Sequence, residues 1–74
     1  MVYSVNMPIP FYSRVRFITN RFEDEGVSEG TIGYVIEIHD EDAYEVEVSD
    51  SSGHTIALVV TAERDLAVDE PSAE

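Results

Sequence analysis

Asp42–Val48 reads DAYEVEV, and its apolar residues Tyr44, Val46 and Val48 alternate with the acids Glu45 and Glu47. A period of two sends successive side chains to opposite faces of an extended chain, so AYEVEVS predicts a strand with one buried and one exposed face. Upstream, TIGYVIEIHD predicts a longer strand with Ile32, Tyr34, Ile36 and Ile38 on its inward face. Gly33 inside that strand marks a bulge, a sharp bend or a close backbone approach. The aspartates of DEDA between the two strands suit a turn, because their side chains bond local backbone. Glu37, between Ile36 and Ile38, then points outward. Antiparallel pairing across DEDA brings Glu37, Glu45 and Glu47 onto one exposed surface. Like charges on neighbouring strands destabilise a sheet, so such a surface calls for a reason, and a basic partner is one.

Further strands follow on both sides. SRVRFIT, residues 13–19, alternates Val15 and Phe17 with Arg14 and Arg16 and predicts a first strand. NRFEDEGVSEG is a loop that Phe22 and Val27 pin to the core. DSSG is a turn in which Gly53 supplies a positive φ. HTIALVV predicts a fourth strand with Ile56, Leu58 and Val60 on one face. TAERDL predicts a single helical turn with Thr61 as its cap and Glu63 and Arg64 exposed. Leu66 and Val68 then form a short fifth strand. Residues 1–12 form an extended lead-in held by Pro8 and Pro10, in which VYSV adds a short edge strand. Residues 69–74 form a frayed acidic tail. Four or five short strands with tight turns and no long helix predict a small all-β barrel, residues 13–68, with a single helical turn before the last strand.

A chain of 74 residues forms one domain with a thin core. It has no cysteine, so neither disulfides nor thiolate metal sites supplement that core. No apolar run reaches the roughly 20 residues of a membrane span, and the start lacks the basic and apolar regions of a signal peptide. These features predict a soluble cytoplasmic protein that does not bind membranes. Sixteen acids face four arginines, for a formal net charge of −12. Such a surface repels nucleic-acid phosphates and speeds encounter with basic proteins.

EGTIGYVIEIHDEDAYEVEVSDSSGHTIALVVTAERDL resembles a family of small bacterial proteins known as domain of unknown function 4926. The matching positions include Gly30, Gly33, Val35 and Glu37, then Tyr44, Glu45, Val46 and Glu47, then Asp50, Gly53, Thr55, Ala57, Leu58 and Leu66, and RVRF matches the opening strand. The likeness runs over roughly residues 13 to 68. Val48 departs from it where a phenylalanine is common, and ALVV replaces an ALLTL-like ending. The resemblance implies a five-stranded SH3-like barrel and little chemistry. Its Gly-x-x-Gly-x-Val piece is similar to the KOW element of some ribosomal and transcription proteins. RNA contact of that kind needs a basic groove, which Arg14, Arg16, Arg21 and Arg64 do not supply.

Catalytic and metal constellations are weak. His39 and His54 stand at the ends of different strands, without ligand-like spacing. HDEDA and FEDEG lack the glycine and terminal glutamate of an EF-hand loop in register. No Gly-x-Ser-x-Gly elbow occurs. The expectation is therefore no catalysis, no metal and no cofactor. Candidate binding residues are Glu37, Glu45 and Glu47, the turn acids Asp40, Glu41 and Asp42, and Tyr12 beside Pro10 and Phe11. An aromatic rimmed by acids suits an arginine- or lysine-rich ligand. The function expected is a non-catalytic module for a basic protein partner, such as an antitoxin- or immunity-type inhibitor. A nucleic-acid-mimicking inhibitor and a structural accessory domain of a larger assembly are the alternatives.

Overall fold

A computed structural model describes residues 9–40 and 42–70; VYSV, Glu41 and residues 71–74 lie outside the described residues. The strands are β1 (Arg14–Phe17), β2 (Ile32–Asp40), β3 (Ala43–Ser49), β4 (Thr55–Ala62) and β5 (Leu66–Glu70). All neighbours pair antiparallel in one five-stranded sheet of order β4-β3-β2-β1-β5. A 3-10 turn at Glu63–Asp65 precedes β5, as expected, and a second, which the sequence did not suggest, interrupts the loop at Glu23–Glu25. The fold is all-β, but the sheet is not closed into a barrel. After β4 the 3-10 turn carries the chain away, and β5 lies along β1 at the opposite edge. The open sheet is compatible with a small SH3-like fold. β5 runs to Glu70, so Asp69 and Glu70 belong to the sheet and not to a tail.

The core reads directly from β3. Tyr44, Val46 and Val48 are buried, as their alternation with glutamates requires. Antiparallel partners share a face, so Val46 fixes Val35 and Val59 inward, and Tyr44 fixes Ile38 and Thr61. Val15 and Phe17 complete the sheet's inner wall, and the loop residue Val27 is fully buried against it. Phe22 packs edge-on to Phe17 with ring centroids 5.9 Å apart, which anchors the loop as the sequence suggested.

The inward face of β2 differs from expectation, and that of β4 is set by its partner. On β2, Gly33 and Val35 face the core and Tyr34 is 47% exposed. Val15 lies directly opposite Gly33, so both point inward. A bulge between Val35 and Glu37 then inserts Ile36, and this switches the inward positions from odd to even, so that Ile38 reaches the core. On β4 the shared face of Ile56, Leu58 and Val60 is the outer one, with 53%, 53% and 58% exposed, and Val59 is buried. A run without charged residues carries no phase of its own, and pairing with the β3 residues Val46 and Tyr44 sets it.

Polar groups close the two ends of the core. The Ile9 N–H donates to the Tyr44 hydroxyl at 3.2 Å in a buried position. Tyr44→Phe should therefore orphan that donor and cost about 1–2 kcal/mol. The check is chemical denaturation, where the midpoint should fall at unchanged slope. At the other end Asp65 is buried, and its Oδ2 accepts from Thr61 Oγ1 at 2.8 Å, from Arg21 at 2.7 Å and from the Ala62 N–H at 3.3 Å. Thr61 is thus a buried donor to Asp65 and not the cap of the following turn. Arg21 also lies over the Phe22 ring, 4.8 Å from its centroid, which joins the loop to this network.

Candidate protein-binding face

The outer face of β2, β3 and β4 gathers most of the candidate residues. Glu45 and Glu47 alternate with the buried set of β3 and therefore point outward. The bulge at Ile36 brings Glu37 directly opposite Glu45, and Tyr34 lies opposite Glu47. Across the other side of β3, Glu45 faces Val60 and Glu47 faces Leu58. One row across the sheet thus reads Tyr34, Glu47, Leu58, and the next reads Glu37, Glu45, Val60. Each carboxylate of β3 sits beside an exposed aliphatic residue.

Local contacts restrain two of these acids. Glu45 lies 3.0 Å from His39 Nε2, and Glu47 accepts a short hydrogen bond from the Thr55 hydroxyl. Glu37 is exposed. Three of the four arginines are engaged elsewhere: Arg14 and Arg16 pair with Asp69, and Arg21 pairs with Asp65. Among the described residues no arginine forms an ion pair with Glu37, Glu45 or Glu47. Arg14 and Arg16 thus sit with Asp69 on β1 and β5, whereas Glu37, Glu45 and Glu47 lie on β2 and β3.

The remaining candidates separate. Asp42 Oδ1 accepts the Glu63 N–H at 2.9 Å, so this acid ties the β2–β3 turn to the 3-10 turn after β4. Asp40 ends β2 opposite Ala43. Tyr12 is 67% exposed at φ 67, and its N–H donates to the Val35 carbonyl at 2.7 Å. That bond brings its backbone alongside β2, one residue from Tyr34. A side chain other than glycine at positive φ is uncommon, so Tyr12 is held there by the chain around it. Phe11 stands next to it, with ring centroids 5.9 Å apart.

His39 and His54 are divided between different acids, Glu45 and Asp50. No group of three metal-ligating side chains occurs among the described residues. No helix among them is long and apolar enough to cross a membrane. Sequence reasoning missed Tyr34, Ile56, Leu58 and Val60 as surface residues, since each belongs to an apolar pattern that reads as core. The signal available was Gly33: a strand that faces its glycine inward must face its tyrosine outward.

Fold and face together define a small all-β domain whose broad sheet surface carries carboxylates and exposed apolar side chains side by side. The chain belongs to the DUF4926 family, a domain of unknown function, which it matches over residues 11–68. No curated protein and no solved structure matches it.

Proposed function

We propose that this protein is a non-catalytic binding module that engages a basic protein partner through the outer face of β2–β4. The observation that carries this reading is the juxtaposition of Glu37, Glu45 and Glu47 with exposed Tyr34, Leu58 and Val60. Apolar residues supply the desolvated centre of an interface, and the carboxylates supply complementarity to arginine or lysine around it. The overall charge of −12 speeds the encounter. An antitoxin- or immunity-type inhibitor of a basic enzyme is the specific form that suits a domain of this size. The apolar residues interleaved with the acids favour a protein partner over mimicry of a phosphate backbone, which needs carboxylates alone.

The test compares two triple charge reversals of equal size. Glu37→Lys, Glu45→Lys and Glu47→Lys alter the sheet face. Glu23→Lys, Asp24→Lys and Glu25→Lys alter the exposed 3-10 turn in the loop. Affinity capture from the source cells should recover a basic partner with the unaltered protein and with the loop variant. The face variant should weaken its binding by at least about tenfold, since rim and buried charge pairs together are worth more than about 1.4 kcal/mol. Equal loss from both variants would mean that net charge alone drives binding and would sink the proposal.

A further inference from the structure

We infer that the basic partner lays an extended segment beside β4 as an added antiparallel strand, whose alternate arginine or lysine side chains cross Leu58 and Val60 to reach Glu47 and Glu45. This rests on the binding role proposed above and names the element of the partner that is recognised. β4 is an edge of the sheet, and among the described residues its only strand neighbour is β3. Proteins ordinarily guard such an edge with charge, proline or brevity. β5, the other edge, is guarded: it has five residues, two of them Asp69 and Glu70, and Asp69 is paired with Arg14 and Arg16. β4 is the reverse. Its eight residues, TIALVVTA, include no charge, proline or glycine.

The hydrogen bonds fix which backbone groups of β4 are open. Its pairing with β3 is regular from Ala57 to Ala62, and the irregularity at Ile56 lies outside that run. The Ala62 N–H donates to Asp65 Oδ2 at 3.3 Å, so it points away from β3. Every second residue of an antiparallel strand turns its N–H and C=O groups to the same side. Val60 and Leu58 therefore offer both groups to the free edge. Their side chains stand on the outer face and are more than half exposed. Each lies directly opposite a carboxylate of β3: Val60 faces Glu45 and Leu58 faces Glu47. An added antiparallel strand bonds to Leu58 and Val60, and the residues that it sets opposite them share the outer face.

Charge decides which strand fits. Two strand spacings, about 10 Å, separate the added strand from β3. A lysine or arginine opposite Leu58 lays its alkyl stem over the leucine and carries its charge to Glu47. A second, two residues along, does the same over Val60 toward Glu45. His39 contacts Glu45 Oε1 and the Thr55 hydroxyl donates to Glu47 Oε2, which leaves one oxygen of each carboxylate for the incoming cation. Glu37, on β2, lies a further strand away, about 14 Å from the added strand and beyond such a reach. A second copy of this chain suits the edge poorly, because its β4 brings no cation and its net charge is −12.

The test uses a capped peptide as long as β4 that alternates arginine with valine, and a control of the same composition with its arginines grouped. In titration calorimetry at physiological salt the alternating peptide should bind at least about tenfold more tightly than the control. Glu45→Gln with Glu47→Gln should weaken it at least about tenfold, and Glu37→Gln by less than about twofold. N-methylation of the arginine amides, which face β4, should abolish binding, whereas N-methylation of the valine amides should preserve it. The Leu58 and Val60 amides should exchange rapidly in the free protein and slow when the peptide binds. Equal binding of the two sequences, or of the two methylated peptides, overturns the inference. So does protection of both amides in the free protein, since the edge would then be covered without a partner. If the peptide fails while capture from cells still recovers a partner that the sheet-face variant loses, strand docking falls and the binding face stands.

Discussion

Gly33→Ala should lower stability by about 2–3 kcal/mol, large for a chain of 74 residues. A Cβ at Gly33 would stand 2.5 Å from Val46 Cγ1 and 2.9 Å from the backbone oxygen of Glu47. The valine can yield by rotating, but the backbone oxygen belongs to the strand that pairs with β2. Relief therefore means separating β2 from β3. In thermal unfolding the midpoint should fall by roughly 10–20 °C. Gly53→Ala is the contrast: Gly53 has φ 89 and no atom within 4 Å of the added Cβ, so only left-handed strain opposes the methyl, about 1 kcal/mol. If the two substitutions cost the same, close approach is not the reason for glycine in β2.

Asp65→Ala should cost about 3 kcal/mol, because it strands a buried hydroxyl and a backbone N–H together. Most of this comes from Thr61 and Ala62. Arg21 is half exposed, and water screens its share. The same site predicts a pH dependence. Burial by itself raises the Asp65 pKa, but the hydrogen bonds from Thr61, Arg21 and Ala62, with the charge of Arg21, outweigh it and hold the group below its ordinary 3.8. A carboxylate with a lowered folded pKa stabilises the fold above that ordinary value, and the contribution disappears as pH falls through the folded pKa. Unfolding free energy measured from pH 7 down to pH 2 should therefore decline below about pH 4. The decline should be smaller in Asp65→Ala. Parallel curves for the two proteins would show that Asp65 does not carry the acid sensitivity.

These two residues differ in how much of their role the sequence discloses. Gly33 announces a special position, since a glycine inside a strand of apolar residues weakens it unless something needs the space. Which of bulge, bend or close approach applies depends on β3, whose Val46 and Val48 fill that space. Asp65 announces nothing. It reads as one more acid among sixteen, and only the meeting of Thr61, Ala62 and the distant Arg21 makes it a buried anchor. The acidic row follows a middle course. Alternation in β3 suffices to turn Glu45 and Glu47 outward, whereas Glu37 reaches its place opposite Glu45 through a bulge.

Sequence alone determined the all-β class, the strand positions, the turn at Gly53 and the inward face of β3. In each case charged or turn-forming residues stand at fixed intervals, and burying or straightening them is costly. Tertiary structure decided the phase of β2 and β4. Their apolar residues occupy both alternate sets, so neither face is barred from the core by a charge over Ile56–Val60 or Ile32–Ile36. Register against Val15, Tyr44 and Val46 made the choice, and it left Tyr34, Leu58 and Val60 beside the acids on the outer face.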